Sequence, residues 1–107
     1  MSTDELLADI RQRPGLYIHQ KCLRELDAYL RGWSQARQEM GIDDVFEGSR
    51  FSGYVNKLND INTTAGWPMI IELFWGGFDN RAFEKFFELY EQFKTEDPDN
   101  DFLPPIS

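Results

Sequence analysis

The stretch from residue 66 to residue 93 constrains the fold more than any other part of this chain. It holds two of the three tryptophans and six of the nine phenylalanines. Its first half, Trp67 to Trp75, is apolar apart from Glu72. Ile70, Ile71 and Phe74 would suit a buried strand, but the chain has no second strand-like segment to pair with them, and an isolated strand is not stable. The segment therefore predicts a buried helix, with Pro68 in the first turn, where its missing N–H is tolerated. Gly76-Gly77 breaks that helix, and Asp79 is a suitable cap for a second one running from Asn80 to Thr95. There Phe83, Phe86, Phe87, Tyr90 and Phe93 recur at helical spacing and are expected to face inward. Glu84, Glu88 and Glu91 face outward, with Arg81 and Lys85 near enough along the helix to relieve their repulsion. The expected unit is a helical hairpin: an apolar helix, then an amphipathic helix with an acidic outer face.

The remaining segments read as helices that would pack on this hairpin. Ser2 or Thr3 can cap a first helix, with Asp4 and Glu5 in its first turn and Leu6, Leu7 and Ile10 as its apolar stripe. Pro14-Gly15 ends it, and Leu16, Tyr17 and Ile18 are expected to tuck into the core. A second helix is predicted over about residues 20 to 40, where Cys22, Leu26, Tyr29, Trp33, Ala36 and Met40 keep the helical period and Leu23 and Leu30 widen the stripe. Gly32 lies inside it, at a cost of about 1 kcal/mol relative to alanine. Close packing against another helix would explain it. Gly41 supplies the C-terminal stop. Residues 42–50 form a connection anchored by Ile42, Val45 and Phe46, with Asp43, Asp44 and Glu47 in water. A third helix over about residues 50–59 buries Phe51, Tyr54, Val55 and Leu58, and a polar loop follows from Asp60 to Ala65.

A chain of 107 residues is one domain by size. The expected fold is all-α: a single-domain compact bundle of about five helices spanning residues 1–107. Its tail, residues 94–107, is read as irregular and acidic, because Pro98, Pro104 and Pro105 forbid helix. Phe102, Leu103 and Ile106 could dock that tail on the bundle. No apolar run approaches the ~18 residues needed to span a bilayer, and the acidic N-terminus has no signal-peptide pattern. The single cysteine rules out an intramolecular disulfide. A reducing cytoplasm is the expected compartment.

Charge separates the chain into two unequal parts. The net charge of −8 lies wholly in residues 43–107, because residues 1–42 balance six bases against six acids. That distribution disfavours direct nucleic-acid binding, which needs Lys and Arg on phosphates. An acidic face suits a basic protein partner.

Catalytic chemistry is not visible. His19 is the only histidine and has no nucleophile beside it in sequence. Cys22 falls on a helical apolar stripe, the usual place of an inert buried thiol. Asp97, Asp99 and Asp101 alternate as in a calcium loop, but the central glycine and later glutamate of an EF-hand are missing. No enzyme activity, cofactor or metal site is expected. The short segment Arg13-Pro14-Gly15-Leu16-Tyr17-Ile18 is similar to one near the start of type II topoisomerase ATPase domains. The nucleotide-binding Asp-x-Gly-x-Gly loop of that family is not in this chain, so the segment reads as a local helix end and turn.

A wider resemblance covers residues 13 to 93. It runs through Arg13-Pro14-Gly15-Leu16-Tyr17-Ile18, Leu26-Asp27-Ala28-Tyr29-Leu30-x-Gly32-Trp33, Phe51-x-x-Tyr54-Val55, Gly66-Trp67-Pro68-x-Ile70-Ile71, and Phe83-x-x-Phe86-Phe87-Glu88-Leu89-Tyr90-x-x-Phe93. In these motifs the chain resembles small bacterial immunity proteins of contact-dependent growth inhibition and other polymorphic-toxin systems. It departs from them at His19, where relatives often carry glycine. The resemblance implies a non-catalytic protein that binds and neutralises a cognate toxin C-terminal domain, a basic nuclease being the expected partner. It carries over no binding residues. On charge, the expected toxin-binding residues are Asp43, Asp44, Glu47, Glu84, Glu88, Glu91, Asp97, Asp99 and Asp101. The alternatives are an interaction module outside toxin biology, such as a homodimer joined through its aromatic helix, and a small enzyme using His19 or Cys22.

Overall fold

A computed structural model describes residues 1–76 and 80–96. These residues form five α-helices and one 3-10 turn: α1 (Thr3–Gln12), the turn (Pro14–Leu16), α2 (Leu23–Glu39), α3 (Gly48–Leu58), α4 (Trp67–Trp75) and α5 (Asn80–Glu96). Among the described residues there is no strand. The chain is an all-α single domain. The expected break at Gly77, the cap at Asp79 and the irregular tail beyond residue 96 lie outside the described residues.

Local chemistry sets the helix ends. Ser2 caps α1 in a reciprocal box: its hydroxyl accepts from the Glu5 N–H at 3.1 Å, and its own N–H donates to the Glu5 carboxylate at 2.8 Å. The end of α2 is a Schellman motif. Ile42 N–H donates to the Arg37 carbonyl at 2.9 Å and Gly41 N–H to the Gln38 carbonyl at 3.0 Å, with Gly41 at φ +78°. Gly66, at φ +89°, turns the chain into α4. The first N–H of α4, from Trp67, donates to the Ser52 hydroxyl of α3 at 3.0 Å, and Pro68 has none to satisfy.

The core is a nested set of rings. α5 packs on α1, α2, α3 and α4, and α4 also meets α2 and α3. Phe51 is fully buried, with the rings of Phe46, Trp67, Phe86 and Phe93 between 5.5 and 6.0 Å from it. Trp67 and Phe86 lie 4.8 Å apart. Burying Leu6, Leu7 and Ile10 of α1 and Leu23, Leu26 and Leu30 of α2 closes the remaining sides. Each such side chain contributes about 1.5–3 kcal/mol of hydrophobic stabilisation.

Four expectations are corrected. The expected stripe of α2 holds along most of its length, with Leu23, Leu26 and Leu30 buried and Tyr29 and Trp33 packed on the core, but Ala36 and Met40 are exposed and Ser34 is buried instead. Ser34 can lie inward because its hydroxyl accepts from the buried Phe46 N–H at 3.0 Å and donates to the Phe46 carbonyl at 3.4 Å. Gly32 is not a packing site, because it is exposed and a Cβ there would meet nothing within 4 Å. Leu16 and Leu58 are exposed rather than buried, although Ile18 and Phe46 anchor their segments as expected. In α4 the apolar residues are not all scaffold. Leu73 is 74% and Phe74 51% exposed, while the one charge, Glu72, is 5% exposed. Trp67, Pro68, Ile70 and Ile71 face the core, and at about 100° per residue Leu73 falls away from them, whereas Glu72 lies at the edge of that face on the side where Arg24 of α2 approaches it.

Candidate functional site

The outward carboxylates of the sequence divide into separate groups in space. Asp44 and Glu47, from the connection before α3, come together with Glu91 of α5 and with Asp4 and Glu5 of α1. The Tyr90 side chain marks their centre. Burial, then the negative charges of Asp4, Asp44, Glu91 and Glu47, raise its phenol above the ordinary tyrosine pKa. Five carboxylates from three segments gather here, with Lys94, Arg50 and the N-terminal ammonium among the cations beside them.

Each member of the group has a local role as well. Asp44 accepts the Thr3 hydroxyl at 2.6 Å and the Thr3 N–H at 3.3 Å, and so ties the connection to the start of α1. Arg37 donates to the Asp44 carbonyl at 2.9 Å and lies 4.4 Å from the Trp33 ring centroid, which fixes the connection from the α2 side. Glu47 pairs with Arg50 at 3.0 Å. Lys94 reaches Asp4 at 3.1 Å and Glu91 at 3.3 Å. Burial alone would lower the Lys94 pKa, but these two acceptors hold it above the ordinary lysine value. The Ser2 N–H, followed by its hydroxyl, lowers the Glu5 carboxyl. The Tyr17 hydroxyl, followed by Arg13, does the same for Asp9.

Beside this group α1 and α5 enclose a groove of about 470 Å³. Its floor is Leu7, Ala8, Phe87 and Tyr90, and its rim is Asp4, Glu5, Asp9 and Glu91 with Arg11 and Lys94. A larger cavity of about 650 Å³ lies between α2 and the starts of α3 and α4. Its charged lining residues are Arg24, Arg31 and Asp27, with Arg31 paired to Asp27 at 3.1 Å and Arg24 facing Glu72, outside the cavity, at 3.7 Å.

The other expected site residues stand elsewhere. Asp43 is exposed in the same connection as Asp44. Glu84 sits where α1 ends, bound to Arg11 at 3.0 Å. Glu88 lies on the same outward side of α5, between Glu84 and Glu91 in sequence, with Lys85 at 3.8 Å, and Lys85 in turn covers Trp75 of α4. Asp97, Asp99 and Asp101 are outside the described residues. Asp4 and Glu5 were not expected in a binding face, because the first 42 residues balance to zero charge and first-turn acids read as helix capping. Their association with Glu91 depends on α1 packing against α5, which no local pattern announces.

Other chemistry is sparse. His19 is exposed in a loop, its N–H bound to Glu25 at 2.8 Å, and Cys22 is half-buried at the start of α2. Among the described residues no three His, Cys, Asp or Glu side chains converge as metal ligands would. No described helix is long and apolar enough to cross a membrane. Compared with protein families, curated proteins and solved structures, the chain matches none.

Proposed function

We propose that this protein binds and neutralises a basic toxin domain, a nuclease, through the acidic face around Tyr90, as a cytoplasmic immunity protein without catalysis of its own. The observation that carries the proposal is the convergence of Asp4, Glu5, Asp44, Glu47 and Glu91 beside an aromatic-floored groove. Carboxylates from α1, the 43–47 connection and α5 form one face, and a nuclease cleft built for phosphates is complementary to it. Opposite charge accelerates encounter and discriminates against wrong partners, and a buried anchor slows release. The residue pattern shared with immunity proteins supports the same reading. Asp43 extends the face at one edge, and Glu84 and Glu88 stand farther along α5.

The test looks first for a large secreted protein encoded beside this gene, and then uses its C-terminal domain. Calorimetry with that domain should show a tight complex, and co-expression should restore growth. Reversing Glu47 and Glu91 together to lysine should weaken the complex by at least about tenfold and flatten its salt dependence. Reversing Glu39 and Glu88 should do much less. Absence of both binding and protection would refute the proposal, as would loss of a measured enzymatic activity in His19→Ala.

One observation favours a second reading as a homodimeric interaction module. The α5 rings Phe83, Phe86, Phe87 and Phe93 are buried in the core and offer no joint, but α4 exposes Met69, Leu73 and Phe74. Sedimentation of the isolated chain would show a dimer, and Leu73→Ser would dissolve it.

A further inference from the structure

In the groove between α1 and α5, both floor rings are covered by cations of the chain itself. The Arg11 guanidinium lies 5.5 Å from the Phe87 ring centroid, and the Lys94 ammonium 5.2 Å from that of Tyr90. Neither cation comes from the floor. Arg11 is held at the rim by Glu84, and Lys94 by Asp4 and Glu91. Asp4 and Glu91 are mostly exposed, and ion pairs of that kind are weak.

An aromatic face between two carboxylates attracts a cation twice, through its ring quadrupole and through Coulomb attraction. A guanidinium suits such a place better than an ammonium. It is planar, stacks on the ring, holds its water less tightly, and presents a fork of N–H groups to carboxylates on either side. Lys94 meets the site as a point charge at the end of a flexible stem.

We propose that this groove seats an arginine-bearing basic segment of the partner protein, whose guanidinium takes the place of Lys94 over Tyr90 between Asp4 and Glu91. This rests on the reading of the acidic face as a protein-binding surface. Charge selects the occupant: the rim acids Asp4, Glu5 and Glu91 favour a basic segment, and they repel a second copy carrying the same face. In the free protein Lys94 is a placeholder that neutralises two carboxylates and covers a ring. On binding it swings out to solvent.

The consequence is opposite to that of a structural ion pair, since removing Lys94 improves capture. The probe is a capped hexa-arginine peptide, with hexa-lysine beside it, titrated into the full chain at low salt and followed by amide and tyrosine-ring resonances. Saturable shifts should centre on Asp4, Tyr90 and Glu91, and arginine should bind more tightly than lysine. Lys94→Met should bind the arginine peptide about two- to fivefold more tightly, and Asp4→Asn with Glu91→Gln should lose it. Unchanged or weaker binding in Lys94→Met would overturn the proposal. Shifts spread evenly over Asp43, Glu84 and Glu88 would do so too. If a toxin domain binds through the acidic face while the peptide does not seat in the groove, this inference fails and the functional reading stands. If the peptide seats and no toxin domain binds, the reverse holds.

Discussion

Replacing Glu72 with methionine isolates the effect of one buried carboxylate on this fold. Glu72 is 5% exposed in α4, and its Oε1 accepts no hydrogen bond. The Arg24 Nε stands 3.7 Å away, beyond hydrogen-bond range, on a side chain that is 59% exposed. A buried polar group without a partner costs about 1–3 kcal/mol. An ion pair to a cation so open to water returns about 0–1 kcal/mol. Methionine has a similar length, is a good helix former and adapts to irregular gaps. Glu72→Met is therefore expected to stabilise the domain by about 1–2 kcal/mol at neutral pH, raising the melting temperature by roughly 4–8 °C for each kcal/mol. The pH dependence has a definite sign. Burial raises the Glu72 pKa, opposed by Arg24. Between the ordinary glutamate pKa of about 4.3 and the raised folded-state pKa, the folded state therefore binds more protons at this site than the unfolded state. The wild-type protein then loses stability as pH rises through the folded-state pKa, and the variant does not. Urea unfolding followed by tryptophan fluorescence at pH 4 and pH 8 should show the gap between variant and wild type widening. A less stable variant at pH 8 would mean that the Glu72–Arg24 pair is net favourable, and the reasoning would fail.

Two further substitutions probe α2. Gly32→Ala places a methyl group in open solvent inside a helix, and a gain of about 0.4–1 kcal/mol in urea unfolding is expected. A loss would show that the position touches something. Ser34→Ala leaves the buried Phe46 N–H without its acceptor, so a loss of about 1–3 kcal/mol is expected. A change below about 0.5 kcal/mol would show that water replaces the hydroxyl.

The sequence made α1 and α5 legible because each has one apolar stripe and a polar remainder. Phe83, Phe86, Phe87 and Phe93 are buried, and Glu84, Glu88 and Glu91 face outward, as their spacing required. In α2 the pattern admitted two neighbouring stripes, since Tyr29, Trp33 and Met40 compete with Leu23 and Leu30. Toward the end of the helix the inward position is Ser34, whose hydrogen bonds to Phe46 join residues from different elements. In α4 nearly every position is apolar, so periodicity could not tell inside from outside, and Glu72 looked like the solvent mark when it is buried. The candidate site was legible in part: Asp44, Glu47 and Glu91 do come together, but Asp4 and Glu5 join them only through the pairing of first and last helices. Charge counted along a chain does not report charge gathered in space.

That pairing has a consequence for synthesis. The acidic face takes one share from α1 and another from α5, and α5 also supplies Phe83, Phe86, Leu89 and Phe93 to the core. A nascent chain therefore has neither a closed interior nor an assembled face until its final helix has left the ribosome. At roughly 5–20 residues per second, the first helix waits several seconds for its mate. Shortened products ending before α5 would leave exposed the rings that α5 covers, so the described bundle closes only as a whole.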